Sequence, residues 1–96
     1  MRRYEMVVII TPDVADDDVA DAVDRLIKRP IEGEGGTLDE VDNWGRKKLA
    51  YPIQKHAEGN YVLTHLQMDP ESTTALERGL QISEEVLRYL LIRLDE

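Results

Sequence analysis

The sequence predicts an α+β fold, ordered β-α-β-β-α-β, with four antiparallel strands and two helices on one face of the sheet. Three observations predict it. Runs rich in β-branched or alternating apolar residues occur at 3–11, 37–52, 60–68 and 86–94. Two intervening stretches, 13–29 and 69–80, repeat apolar residues at helical spacing. Glycine, proline and aspartate cluster at the joints between these segments.

Each element has its own signal. The first strand, 3–11, ends at Thr11-Pro12. The first helix runs from about Asp13 to Arg29, with Val19, Val23, Leu26 and Ile27 recurring at helical spacing. Its aspartates crowd the first turns and Arg25, Lys28 and Arg29 the last, as the helix dipole favours. Pro30 is expected to kink or stop it, and Gly33, Gly35 and Gly36 to make the turn. In the second strand, 37–52, Asn43-Trp44-Gly45 predicts a bend or bulge. Lys55 to Gly59 reads as a hairpin loop leading into the third strand, 60–68. Asp69-Pro70 reads as a helix cap followed by proline at the first helical position. That second helix presents Ala75, Leu76 and Leu80 on one face. Val86 to Leu94 forms the last strand. This order is the ferredoxin-like, split β-α-β pattern.

The chain has 96 residues, which predicts a single domain spanning 1–96 with one core. Hydrophobic residues at 42% and charged residues at 33% make it globular rather than disordered. It has no cysteine, so disulfides, thiolate metal sites and thiol catalysis are excluded. The apolar run Met6 to Ile10 is too short for a signal peptide or a membrane span, and a cytoplasmic protein is expected.

A net charge of −8 argues against general nucleic-acid binding, but the charge is segregated. Asp13, Asp16, Asp17, Asp18, Asp21 and Asp24 place six carboxylates within twelve residues. They lack the spacing and glycine of a calcium loop, and no metal site is expected. Trp44 to His56 carries Arg46, Lys47, Lys48 and Lys55 with no acid, and Arg2 and Arg3 add two cations at the start. In a regular strand Arg46 and Lys48 point one way and Lys47 the other; a bulge at Gly45 would let all three reach one ligand. Such cations either neutralise phosphates or merely solvate a strand end. Lys55 and His56 in the hairpin loop are further phosphate candidates. Trp44, the only tryptophan, is a candidate for base stacking or partner anchoring, or packs beside the bulge.

The strands are not cleanly alternating. Met6 to Ile10 and Leu90 to Ile92 are apolar throughout, which suggests cover on both faces. Two helices on one face supply one cover, so a partner is expected on part of the other, the alternatives being a cover made by loops or tolerated exposure.

Three segments together resemble one family, the sixth protein of the bacterial small ribosomal subunit. They are Met1-Arg2-Arg3-Tyr4-Glu5, the stretch from Trp44 through Arg46-Lys47-Lys48-Leu49-Ala50-Tyr51-Pro52-Ile53 to Glu58-Gly59-Asn60-Tyr61, and Val86-Leu87-Arg88-Tyr89. The resemblance covers nearly the whole chain. It implies a ferredoxin-like fold and a structural role in the central platform region of the small subunit. It also implies contact with small-subunit rRNA and a heterodimer with a small basic neighbour, protein eighteen of that subunit. On this reading Arg2, Arg3, Arg46, Lys47, Lys48, Lys55 and His56 bind rRNA, and about six neutralised phosphates would cost a few hundred-fold in affinity between 50 and 200 mM salt. The chain ends at Asp95-Glu96, without the longer acidic or polar tail of some members.

Two other function classes bear on the same residues. An autonomous RNA-recognition-like module has this strand order and stacks single-stranded RNA on sheet aromatics, for which Tyr4, Tyr51, Tyr61 and Tyr89 are available. An enzyme would need a constellation that is missing. Ser72 and Ser83 read as helix-start and turn residues, and His56 and His65 have no nucleophile beside them. Gly33, Gly35 and Gly36 follow a helix rather than precede one. No catalytic residue, cofactor, small-molecule substrate or membrane contact is expected.

Overall fold

The computed structural model describes residues 1–94; Asp95 and Glu96, where the short ending falls, lie outside the described residues. Strand β1 (Arg2–Ile10) leads through a 3₁₀ turn (Asp16–Asp18) into α1 (Val19–Val23), a π-helical turn (Asp24–Lys28) and α2 (Arg29–Gly33). Strands β2 (Thr37–Ile53) and β3 (His56–Met68) form a long hairpin. Helix α3 (Thr73–Ile82) follows a 3₁₀ turn (Pro70–Ser72), and β4 (Val86–Arg93) closes the fold. The sheet is antiparallel, in the order β2-β3-β1-β4.

Period-two alternation decides what is buried. Tyr4, Met6, Val8 and Ile10 of β1 and Val62, Leu66 and Met68 of β3 point to the helices. Val19, Ile27 and Ile31 of the first helical arm and Leu76 and Leu80 of α3 meet them. Each fully buried aliphatic side chain stabilises the fold by about 1.5–3 kcal/mol before the entropy of ordering is set against it. Thr64, also buried, donates its hydroxyl to the Met6 carbonyl at 3.0 Å. Ala75 faces solvent rather than joining Leu76 and Leu80.

Pro30 does not end the first helix. The helix runs through it to Gly33, with the wide π turn immediately upstream, where the Arg29 N–H reaches back five residues to the Asp24 carbonyl. A proline inside an α-helix removes one N–H and crowds the carbonyl four residues before it, here that of Leu26. A turn widened by one residue relieves that crowding. Continuing the helix lets both Ile27 and Ile31 reach the core, where each is 0% exposed. The glycines then terminate it. Gly35 takes φ +83°, its N–H donates to Glu32 O at 3.0 Å, and Gly36 N–H donates to Ile31 O at 2.9 Å. This is the Schellman pattern of helix termination.

The helix begins at Asp16 rather than Asp13, because Thr11 to Val14 form a loop. Asp69 occupies the predicted cap position, with Pro70 next, yet its side chain makes no cap bond; it lies 3.7 Å from the N-terminal ammonium.

A clasp joins the first helical arm to the turn before β4. The Arg25 guanidinium donates to both Glu85 oxygens at 2.9 and 3.1 Å, and to Asp21 at 3.3 Å. The hydrogen bonds from Arg25 hold the Glu85 carboxyl below its ordinary range, although partial burial works the other way. A depressed carboxylate contributes stability above its unfolded pKa and loses it as pH falls through the folded one. Glu85→Gln is therefore expected to lower Tm by about 2–5 °C at pH 7, and by progressively less as the pH falls below the ordinary glutamate pKa and through the depressed folded-state value. Scanning calorimetry across that pH range checks this.

Candidate nucleic-acid and protein interface

The β2–β3 hairpin is long, bent and cationic at its far end. Its ladder pairs Asn43 with Val62 and Gly45 with Tyr61, leaving Trp44 as the extra residue of a bulge. Gly45 adopts φ +81°, and its N–H donates to Asn43 Oδ1 at 2.8 Å. The predicted bulge is therefore present. Regular pairing resumes at once: Arg46 opposes Asn60, Lys47 opposes Gly59 and Lys48 opposes Glu58. The bulge lies before the cationic run and does not gather it, so Arg46 and Lys48 project on the helix side and Lys47 on the open side. Residues 49–52 then arch outward, and Ile53 pairs with His56 across a two-residue turn. That turn holds Gln54 at φ 50° and Lys55 at φ 72°, the double left-handed geometry that matches strand twist. The expected loop from Lys55 to Gly59 is thus a tight turn at Gln54-Lys55, with His56 to Gly59 already in β3.

The cations divide into held and available groups. Arg46 donates to the Pro12 carbonyl at 2.8 Å, and His56 Nε2 lies 3.9 Å from the Asp13 carboxylate. Buried Asn60 donates to the carbonyls of Thr11 and Val14 at 3.1 and 3.2 Å. Three hairpin residues thereby fasten the loop after β1, and two of them were phosphate candidates. Lys47, Lys48 and Lys55 are exposed and carry no ion pair among the described residues. Arg2 and Arg3 do not join them. Arg2 pairs with Met68 and Arg46 with Asn60, eight residues apart along β3 and so roughly 27 Å distant.

The face away from the helices can be read in cross-strand rows. One row is Glu40, His65, Glu5 and Ile92, from β2 to β4. The next is Asp42, Leu63, Val7 and Leu90, and the third is Gly45, Tyr61, Ile9 and Arg88. The β4 side is apolar: Leu90 is 55% and Ile92 43% exposed, and Val7, Ile9, Arg88, Tyr89 and Leu90 line a shallow depression of about 240 Å³. The β2 side is acidic. Trp44 is 45% exposed on that side, its indole N–H donating to Asp42 at 3.0 Å, so it is not a packed core residue.

His65 Nε2 lies 3.0 Å from Glu5 and its Nδ1 lies 3.5 Å from Glu40. The hydrogen bond to Glu5, with help from Glu40 and against desolvation, raises the imidazole above its ordinary pKa.

Tyrosine placement bears on the RNA-binding readings. Tyr4 is buried against the helices and Tyr89 turns the same way, its hydroxyl donating to Glu77 at 3.1 Å. Tyr61 reaches the open face from β3, and Tyr51 reaches it from the arch of β2, where its hydroxyl is held by Arg88, so two of the four tyrosines lie on that face. Arg88 escaped prediction. It lies on the open face across from Ile9 and donates to the Tyr51 hydroxyl, which the arch of β2 brings over from the other edge of the sheet. The spacing of Arg88, Leu90 and Ile92 on alternate residues was the available signal.

A four-stranded antiparallel sheet in this order, with both helical arms on one face, defines a ferredoxin-like domain with one open face and a cationic hairpin. Small ribosomal subunit protein bS6 of Caldanaerobacter subterraneus subsp. tengcongensis is 42% identical over 96 residues, covering all of both chains. That of Moorella thermoacetica is 41% identical over all of this chain and 97% of its own. Among solved structures, 30S ribosomal protein S6 from Thermotoga maritima superposes with a TM-score of 0.88 at 32% identity, covering 97% of this chain and 87% of that one. The C-terminal domain of the MgtC protein from Mycobacterium tuberculosis, at TM-score 0.65 and 15% identity, shares the fold alone. The family described as ribosomal protein S6 matches residues 3–93, and the chain belongs to it. No helix among the described residues is long and apolar enough to cross a membrane.

Proposed function

We propose that all 96 residues act as one domain, a structural constituent of the small subunit in the cytoplasmic ribosome. Its hairpin lysines and N-terminal arginines grip small-subunit rRNA in the central platform region. Its open sheet face holds the small basic protein eighteen of that subunit as a heterodimer. The reading rests above all on the segregation of charge. In a chain of net charge −8, Lys47, Lys48 and Lys55 stand without acidic partners among the described residues, toward the end of the long hairpin. Phosphate contacts need such cations and little else, because they position a protein rather than specify a sequence. Arg46 and His56 enter as secondary contacts, since each must loosen its hold on the Pro12-Asp13 loop to reach a phosphate.

Sedimentation of the tagged protein through a density gradient tests the assignment. It is expected to migrate with small subunits through moderate salt; migration as a free small protein overturns the reading. Lys47→Glu with Lys48→Glu tests the anchor. With the protein partner present, the double reversal is expected to weaken rRNA binding about tenfold or more. The salt dependence should flatten by roughly one in log–log slope per lysine. A filter-binding titration between 50 and 200 mM salt measures both.

A further inference from the structure

We infer that Glu5 and Glu40, bridged by His65, form a proton-linked socket for cationic side chains of the basic protein that docks on the open sheet face. The inference rests on the docking reading above and adds its chemistry and its pH dependence. Glu40, His65 and Glu5 occupy one cross-strand row on three adjacent strands, and the apolar patch of Ile92, Val7, Leu63 and Leu90 begins beside them. A docking segment with apolar side chains over β1 and β4 therefore presents its neighbouring residues to the carboxylates over β3 and β2. Basic residues fit there and acidic ones do not.

In the free protein His65, when protonated, supplies the only cation that either carboxylate contacts among the described residues, at 3.0 and 3.5 Å. The charged groups facing it are Glu5 from β1, with Arg3 one row away, and Glu40, Asp39 and Asp42 from β2. Strand β4 contributes the uncharged Ile92. Asp39 and Asp42 are already engaged, by Gln67 at 2.9 Å and Trp44 at 3.0 Å. An arriving lysine or arginine competes with the imidazolium for Glu5 and Glu40. The proton on His65 then loses its electrostatic support and leaves for solvent. Two like charges on one carboxylate pair are unfavourable, so docking and deprotonation proceed together.

Titration calorimetry of the full chain with purified protein eighteen of the small subunit tests this, from pH 6 to pH 8 in buffers of different ionisation heat. Affinity is expected to rise with pH, by up to about tenfold per unit for one proton released. Proton release and the pH slope should both disappear in His65→Gln. The His65 ring resonances, followed by NMR in the wild-type complex, should titrate lower than in the free protein; this readout stands even if the variant folds poorly. Tight binding with no proton release, and an unshifted His65, overturns the socket and leaves the docking reading intact. No binding at any pH overturns the docking reading itself, and the socket with it.

Discussion

Leu90→Lys combined with Ile92→Lys is expected to weaken association with the proposed basic partner at least about a hundredfold, with Tm shifted by only a few degrees. Both side chains are roughly half exposed on the open face, so little core packing is lost. They are the most exposed part of an apolar patch that includes Val7 and Leu63, where the proposed docking would bury them. The lysines add like charge against a basic partner, and like-charge juxtaposition adds a penalty of its own. Calorimetric titration gives the affinity, and circular dichroism melting confirms that the double variant folds. A folded double variant with unchanged affinity would place the partner elsewhere on the molecule.

Gly36→Ala is expected to destabilise the fold by about 2–4 kcal/mol in equilibrium urea unfolding. A Cβ at Gly36 would stand 2.4 Å from the Gln67 carbonyl oxygen and 3.0 Å from Ile31 and Met68. The obstructing atom is backbone in the central hairpin, so it cannot swing aside. Either β3 shifts at Met68 or the helix end lifts off the sheet. Gly33→Ala is the matched comparison. It lies three residues earlier, at the end of α2, with nothing within 4 Å of the added atom. There alanine is expected to be neutral or to stabilise by up to about 1 kcal/mol through its better helix propensity. Two glycine-to-alanine changes in one turn, opposite in effect, distinguish close approach from helix propensity. Equal effects would show that the clash at Gly36 relaxes at little cost.

The strand order and the segregation of charge were legible because both are local. Alternation marks each strand, and a cationic run without acids is visible whatever it folds into. The bulge at Trp44 was legible too, since Asn43-Trp44-Gly45 interrupts an otherwise extended run. What escaped depended on tertiary demand. Local rules stop the helix at Pro30, but burying Ile27 and Ile31 together requires it to continue, and the π turn reconciles the two. The tight turn at Gln54-Lys55 lacks the glycine or asparagine that normally announces left-handed residues. The link between Tyr51 and Arg88 joins opposite edges of the sheet through an arch that no spacing rule describes. The assignment of Arg46 as a free phosphate ligand needed the position of Pro12, which folding alone supplies. His65 drew attention only as a possible catalyst, and its two carboxylates became neighbours through strand register.

The sheet order has a consequence for how the chain acquires its structure. The strand synthesised first, β1, sits between β3 and β4, so its backbone is satisfied only by residues far along the chain. Arg2 waits for Met68, and Tyr4 for both Leu66 and Arg93. Closing such long loops before any contact rewards them makes folding slow relative to helical domains of this size. While the chain is still being made, β1 can pair one edge with β3 once residues 56–68 are available, but its other edge stays unpaired until β4 follows. Vulnerability to aggregation or proteolysis should therefore concentrate in the interval before the last strand emerges, and end abruptly when Val86 to Arg93 dock against β1.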